Sequence, residues 1–320
     1  MLFQDNIIKF FTLKHKLKIV IMKKLSILQF IFILFILTSC SGNEEPDYPI
    51  FMQPSSIQSV DANANNQTFQ YDDYGRIISW SCTSNNPNDS TSYSAHYSYP
   101  DKNIIKVSAE EFIAFPQTGY EETIQLNEII LLKNSRASNS EGTFSAVIHN
   151  DDRTTQFQKT YRLTFDYLPS NHLNTVEHLE IFGIGDDIED NAWDNAWRWM
   201  NYLIWENGNL KEFQNCEGNP TPCLSIQYEY SEDKVSYPIV IPMVIKFAHH
   251  LPLIMQGVFG SNSVNLVKSA SSFDNKANLN LSRQYSYEFE NARISKYTET
   301  LFTNSVIFNP VTYTVNWTEK

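Results

Sequence analysis

The sequence predicts an all-β protein: a large antiparallel meander of β-hairpins, curled or barrel-like, with long insertions and little helix. A recurring aromatic hairpin unit, runs of alternating residues and the composition all point there. With 17 Tyr, 21 Phe and 6 Trp against 10 Gly in 320 residues, the chain suits pleated, half-buried strands better than a cytosolic α/β enzyme.

The first element is a targeting segment. Leu25 to Leu37 is an apolar run broken only by Ser26 and Gln29, preceded by Lys23 and Lys24 and followed by Thr38-Ser39-Cys40. That order is the basic, apolar and small-residue order of a secretory signal. The run of about 13 residues falls short of the ~20 that cross a bilayer as a helix. Leu37-Thr38-Ser39-Cys40 resembles the bacterial lipobox, which implies cleavage before Cys40 and acylation of that residue. Several acyl chains make such an anchor stable, at about 0.8 kcal/mol per buried CH₂. Residues 1–39 are therefore expected to be a signal peptide, with Met22 as the natural start. Residues 40–65, opening on the acidic Ser41-Gly42-Asn43-Glu44-Glu45-Pro46-Asp47, are expected to be a lipidated flexible tether. The acidic cluster resembles the export signal of surface lipoproteins, so an outer-membrane lipoprotein at the cell surface is preferred over one facing the periplasm.

From residue 66 to 320 the chain is expected to form one hairpin-repeat domain. The unit runs Phe69 to Ile77, Tyr97 to Ile104, Leu203 to Leu210, Tyr228 to Val235 and Tyr287 to Ile294, with a longer-looped copy at Leu163 to Leu173. Each copy places two large apolar residues two apart, then a polar turn, then an aliphatic residue, which reads as strand, turn and returning strand. Asn207-Gly208 suits a type I′ turn. Tyr71-Asp72-Asp73-Tyr74-Gly75-Arg76 matches the YD-repeat signature. With the lipobox, the chain resembles uncharacterised β-hairpin-repeat lipoproteins of gut Gram-negative bacteria, a domain of unknown function. That resemblance implies a fold and a location and no activity. Further alternating runs occur at Phe144 to Ile148, Phe157 to Tyr167 and Thr312 to Trp317. The best helix candidate is Ile188 to Ile204, where Trp193 and Trp197 lie four apart, although this segment also suits entry into a strand ending at Trp205.

Cysteine usage fits an oxidising envelope. Cys216 and Cys223 bracket a turn sequence between two alternating runs and are expected to pair as a disulfide across a hairpin mouth. Cys82 is left over as a buried thiol. Removing residues 1–39 takes six lysines and one aspartate from 24 basic and 36 acidic residues, leaving a formal net charge of −17. Nucleic acid is thereby disfavoured as a partner.

No catalytic constellation stands out, and no cofactor or metal is expected. Trp193, Trp197 and Trp199, beside the acidic run Asp186 to Asp190, have two readings. They are a stacking platform for sugar rings, or, the favoured reading, a cap on the sheet's apolar face. His249 and His250 are adjacent, and in an extended chain their side chains point to opposite faces, so joint ligation is geometrically awkward. Gly257 to Ser263 reads as a turn. The expected function is a non-enzymatic module, tethered to the membrane by its lipid, that binds a glycan or a surface protein. The alternatives are a carbohydrate-active enzyme with unrecognised carboxylates, whose two members no spacing would mark, and a structural envelope component.

Overall fold

The computed structural model describes residues 53–318 apart from 63, 87–89, 151–152, 183–192, 194–195, 218–223, 235–239, 241–247, 275–277, 292 and 304–305. The signal segment, Cys40, the acidic tether, the run 186–190 and Cys223 lie outside these residues. The strands are β1 (Gln53–Gln58), β2 (Asn65–Tyr71), β3 (Ile77–Ser84), β4 (Ser90–Asp101), β5 (Ile104–Phe115), β6 (Tyr120–Lys133), β7 (Arg136–Asn150) and β8 (Arg153–Tyr167). They continue as β9 (Leu173–Phe182), β10 (Trp197–Glu206), β11 (Asn209–Glu217), β12 (Leu224–Lys234), β13 (Asn265–Phe273), β14 (Leu279–Glu290), β15 (Arg293–Thr303) and β16 (Val311–Thr318). Every neighbour in sequence is a neighbour in the sheet, and β1 pairs with β16 to close a barrel of 16 strands. The expected all-β, barrel-like meander is what the chain forms.

The walls follow from period-two patterning. On β5, Ile105, Val107 and Ala109 are buried and alternate with exposed Lys106, Ser108 and Glu110. The outward positions are polar elsewhere too: Arg162, Thr164 and Asp166 on β8, Gln284, Ser286 and Glu288 on β14, Thr312, Thr314 and Asn316 on β16. Exposed Ile129 and Leu131 on β6 and Tyr202 and Ile204 on β10 are apolar exceptions.

The aromatic repeat has a physical basis at one end of the barrel. Each even-numbered strand arrives there, and seven of the eight carry an aromatic that donates to a backbone carbonyl near the start of the preceding strand. Tyr71 reaches Pro54 at 3.1 Å, Tyr99 reaches Ile77 at 2.9 Å, Tyr167 reaches Ala137 at 2.8 Å and Trp205 reaches Leu173 at 2.7 Å. Tyr230 reaches Leu210 at 2.7 Å, Tyr287 reaches Val267 at 2.6 Å and Trp317 reaches Ile294 at 3.0 Å. These strand pairs are joined by loops at the opposite end, so the side chains staple them where no turn does. The ladder shifts register by a bulge just before most of these aromatics, as between Gln70 and Tyr71 and between Ile204 and Trp205, which re-aims the ring. The turns at this end carry the expected chemistry. Asn207 and Gly208 have φ of 53° and 78°. Asp72 accepts from the backbone N–H groups of Tyr74 and Arg76 and pairs with the Arg76 guanidinium at 2.7 Å, while Gly75 supplies a φ of 76°.

Three expectations are corrected. The barrel begins at Gln53, inside the segment 40–65 expected to be a tether. β1 holds only Ile57 as a large aliphatic buried side chain, too little periodicity to announce a strand, yet it closes the sheet. Residues 197–204 of the helix candidate Ile188 to Ile204 belong to β10, because Trp197 and Trp199 also fit period two and pair with Glu180 and His178 of β9. The unit at Tyr228 to Val235 is not a tight hairpin, since β12 pairs next with β13, which starts at Asn265.

The long connection between β12 and β13 fills the barrel. Ala248–His250 forms a 3₁₀ turn that runs into α1 (Leu251–Met255), and all five residues of α1 are buried. Pro252 lies in its first turn, where a missing N–H costs nothing. The segment is tied to inward-facing groups and to turns at the stapled end. Tyr97 donates to the His249 carbonyl at 2.8 Å, Phe259 packs on Phe165 with centroids 5.1 Å apart, and Gln256 Nε2 donates to Gly75 O at 2.8 Å. Gly260, at φ 91°, leaves no room for a side chain, since a Cβ there would fall 2.4 Å from Asn171 O. The glycines of residues 257–263 thus form the turn that lets this plug return to β13.

Candidate functional site

One row of the ladder carries the chemistry. From β4 to β10 it runs Tyr97, Val107, Glu128, Gly142, Tyr161, Glu180 and Trp197, each directly opposite the next. All share the inward face. Because barrel strands tilt, the row climbs from the plugged end at Glu128 to the opposite end at Trp197.

At its lower end a single carboxylate oxygen meets two imidazoles. Glu128 Oε2 lies 2.6 Å from His249 Nε2 and 2.7 Å from His250 Nε2, and all three side chains are at most 1 % exposed. The histidines converge because they sit in a 3₁₀ turn; the expectation that they diverge assumed an extended chain. His249 Nδ1 is 3.2 Å from the Tyr93 hydroxyl, and burial, with the nearby Glu128 charge, pushes the Tyr161 hydroxyl well above its usual value. The Tyr161 ring lies across β7 on the Glu128 side only because Gly142 stands between them: a Cβ there would fall 2.4 Å from the Tyr161 ring. Burial pushes the Glu128 carboxyl up, but the charge and hydrogen bonds of His250 and His249 outweigh it and hold it well below the usual carboxylate range. Burial and the neighbouring His250 lower His249 to about 4, against an opposing pull from Glu128. Among the described residues this is the one group of His, Cys, Asp and Glu whose ligand atoms gather closely, within 4.8 Å of one another. The sequence-based expectation of no metal site did not foresee this grouping, since Glu128 is 121 residues from His249.

At the upper end, Glu180 bonds Lys159 at 2.9 Å and lies 3.2 Å from His178. Burial raises the Glu180 carboxyl, but those two partners bring it down to about 2. The Lys159 ammonium lies 5.1 Å from the Phe182 ring centroid and 5.2 Å from that of Phe144, within cation–π reach. The Trp199 ring lies tilted against His178 at 5.0 Å and neighbours Trp197 at 6.2 Å. Trp197 is 52 % exposed and Phe182 66 % exposed although both occupy inward positions, so these described residues of the mouth meet solvent.

The three tryptophans do not form one shelf. Trp193 packs against Arg162 at 4.0 Å, and Arg162 points outward to Glu141; Trp197 and Trp199 face the lumen. Cys216 is buried on β11, with Asn215 opposite Leu224 of β12. Cys82 is a free thiol on β3, which burial pushes up to about 12.

No protein-family model and no curated protein matches the chain. Solved structures similar to it include two porin-like proteins. A porin-like protein from Bacteroides uniformis shares 11 % identity, with 83 % of this chain and 98 % of that one covered and a TM-score of 0.46. A porin-like protein from Bacteroides vulgatus shares 10 % identity over the same shares, with a TM-score of 0.47.

Proposed function

We propose that the chain is a water-soluble barrel of the bacterial envelope, lipid-tethered through Cys40, that binds a glycan at its open mouth without catalysing a reaction. The outer wall supports the water-soluble part. A membrane barrel presents an apolar band about 25 Å tall to lipid, whereas exposed Glu110, Asn127, Arg162 and Gln284 stand on the outward face well inside their strands here. The placement of β1 supports the orientation: it begins 13 positions after Cys40, at the plugged and stapled end, so a tether from there turns the open mouth away from the membrane. A surface location is preferred to a periplasm-facing one, and a Cys216–Cys223 disulfide would brace the β11–β12 connection on the mouth's rim.

The observation that carries the binding reading is Trp197, half exposed on an inward position beside Trp199, His178, Glu180 and Lys159. Aromatic faces stack on the C–H faces of sugar rings, and the convergent charged groups bond hydroxyls. Glycan-array binding is expected for the wild type and is expected to fall at least about tenfold in Trp197→Ala, with Trp193→Ala unaffected because its ring lies on the outer wall. Equal binding by wild type and Trp197→Ala, or none by either, contradicts the reading.

A further inference from the structure

We propose that Glu128, His249 and His250 form a structural site for a divalent transition cation of the zinc class, which fastens the plug to the barrel wall. Two imidazole nitrogens and one carboxylate oxygen are a donor set that suits zinc, cobalt or nickel and not the oxygen-seeking calcium or magnesium. Their ligand atoms gather within 4.8 Å of one another.

The surroundings are those of a ligand set held in place. Metal-binding imidazoles and carboxylates are oriented by hydrogen bonds from groups that do not themselves ligate. The Tyr93 oxygen is placed to accept from His249 Nδ1–H, leaving Nε2 to face the carboxylate, and the Tyr161 ring lies across β7 on the Glu128 side of the lumen. Tyr97 holds the backbone of the same turn through the His249 carbonyl. Gly142 matters for this reason: β7 gives up a side chain so that Tyr161 reaches across it.

Charge points the same way. Among the described residues the ion-pair partners of the buried Glu128 carboxylate are His249 and His250, and a carboxylate withdrawn from water needs a counter-charge. A cation seated among the three atoms supplies it, taking the place of the N–H hydrogens that now lie between imidazole and carboxylate. It also links β6 to a turn 121 residues away, so metal and plug dock together. The role is structural, because all three ligands are shut away from solvent.

The test uses the full chain, unfolded, stripped with a chelator and refolded with zinc, with cobalt, or with chelator throughout. About one equivalent of metal is expected to survive desalting, cobalt should give the visible absorption of a low-coordinate nitrogen–oxygen site, and the metal-refolded protein should melt higher than the chelator-refolded one. Tyr93→Phe, which keeps all three ligands, should weaken cobalt binding about tenfold, and His250→Gln should abolish it. The wild-type measurement decides even where His250→Gln fails to fold. Wild type that retains no metal and melts identically in all three preparations overturns the site, as does a folded His250→Gln that binds cobalt as tightly as wild type.

Discussion

A lumen filled with titratable side chains makes each one's environment measurable. Glu111 sits opposite Tyr93 and Ile124 on the inward face, and burial, with a smaller push from Glu122, raises its carboxyl to about 7. Between the ordinary carboxylate range near 4.5 and that value, the folded chain holds a proton that the unfolded chain has lost. Stability from this group is therefore full below about pH 4.5 and declines as pH rises to about 7. Glu111→Gln removes the titration: chemical denaturation should show the variant gaining about 1 to 2 kcal/mol on the wild type between pH 5 and pH 7.5. A difference that does not change with pH would refute the assignment. The His–Glu cluster shows why single residues were the least legible scale. Nothing in the sequence ties Glu128 to His249, and the local rule applied to the histidine pair was right for a strand but not for the turn they occupy.

At the scale of elements, the aromatic repeat was legible because one local device recurs: a bulge, a ring beyond it, and a hydrogen bond back to the neighbouring strand. What the motif reports is the staple and not the turn. At Tyr228 and Tyr230 the staple is present, yet the chain runs on into the plug, so reading the motif as a hairpin failed there. β1 was illegible for the opposite reason, having no staple ring and one large aliphatic buried residue. Each staple hydroxyl should contribute about 1 kcal/mol, the usual worth of a hydrogen bond to a carbonyl. Tyr99→Phe and Tyr287→Phe should each lose that amount in denaturant unfolding. The double variant should lose the sum, since the two lie on strands far apart in the sheet. Losses near zero would show the rings acting by packing alone.

At the scale of the whole molecule, the polar outward residues and the buried turn and helix of the plug support the proposed water-soluble barrel. A closed meander was predictable from strand patterning, but alternation alone leaves open which face is wet, and here both carry polar groups. The inward ones include Glu128, His178, Glu180 and Arg283, which bonds Glu299, and they need partners because they are buried; the outward ones need only water. Triton X-114 phase partitioning of the full chain tests this most directly. Wild type, carrying its lipid, should enter the detergent phase, and Cys40→Ala should move to the aqueous phase while keeping a β-rich circular dichroism spectrum without detergent. A Cys40→Ala protein that stays with the detergent, or that folds only in its presence, would contradict the account of a water-soluble barrel.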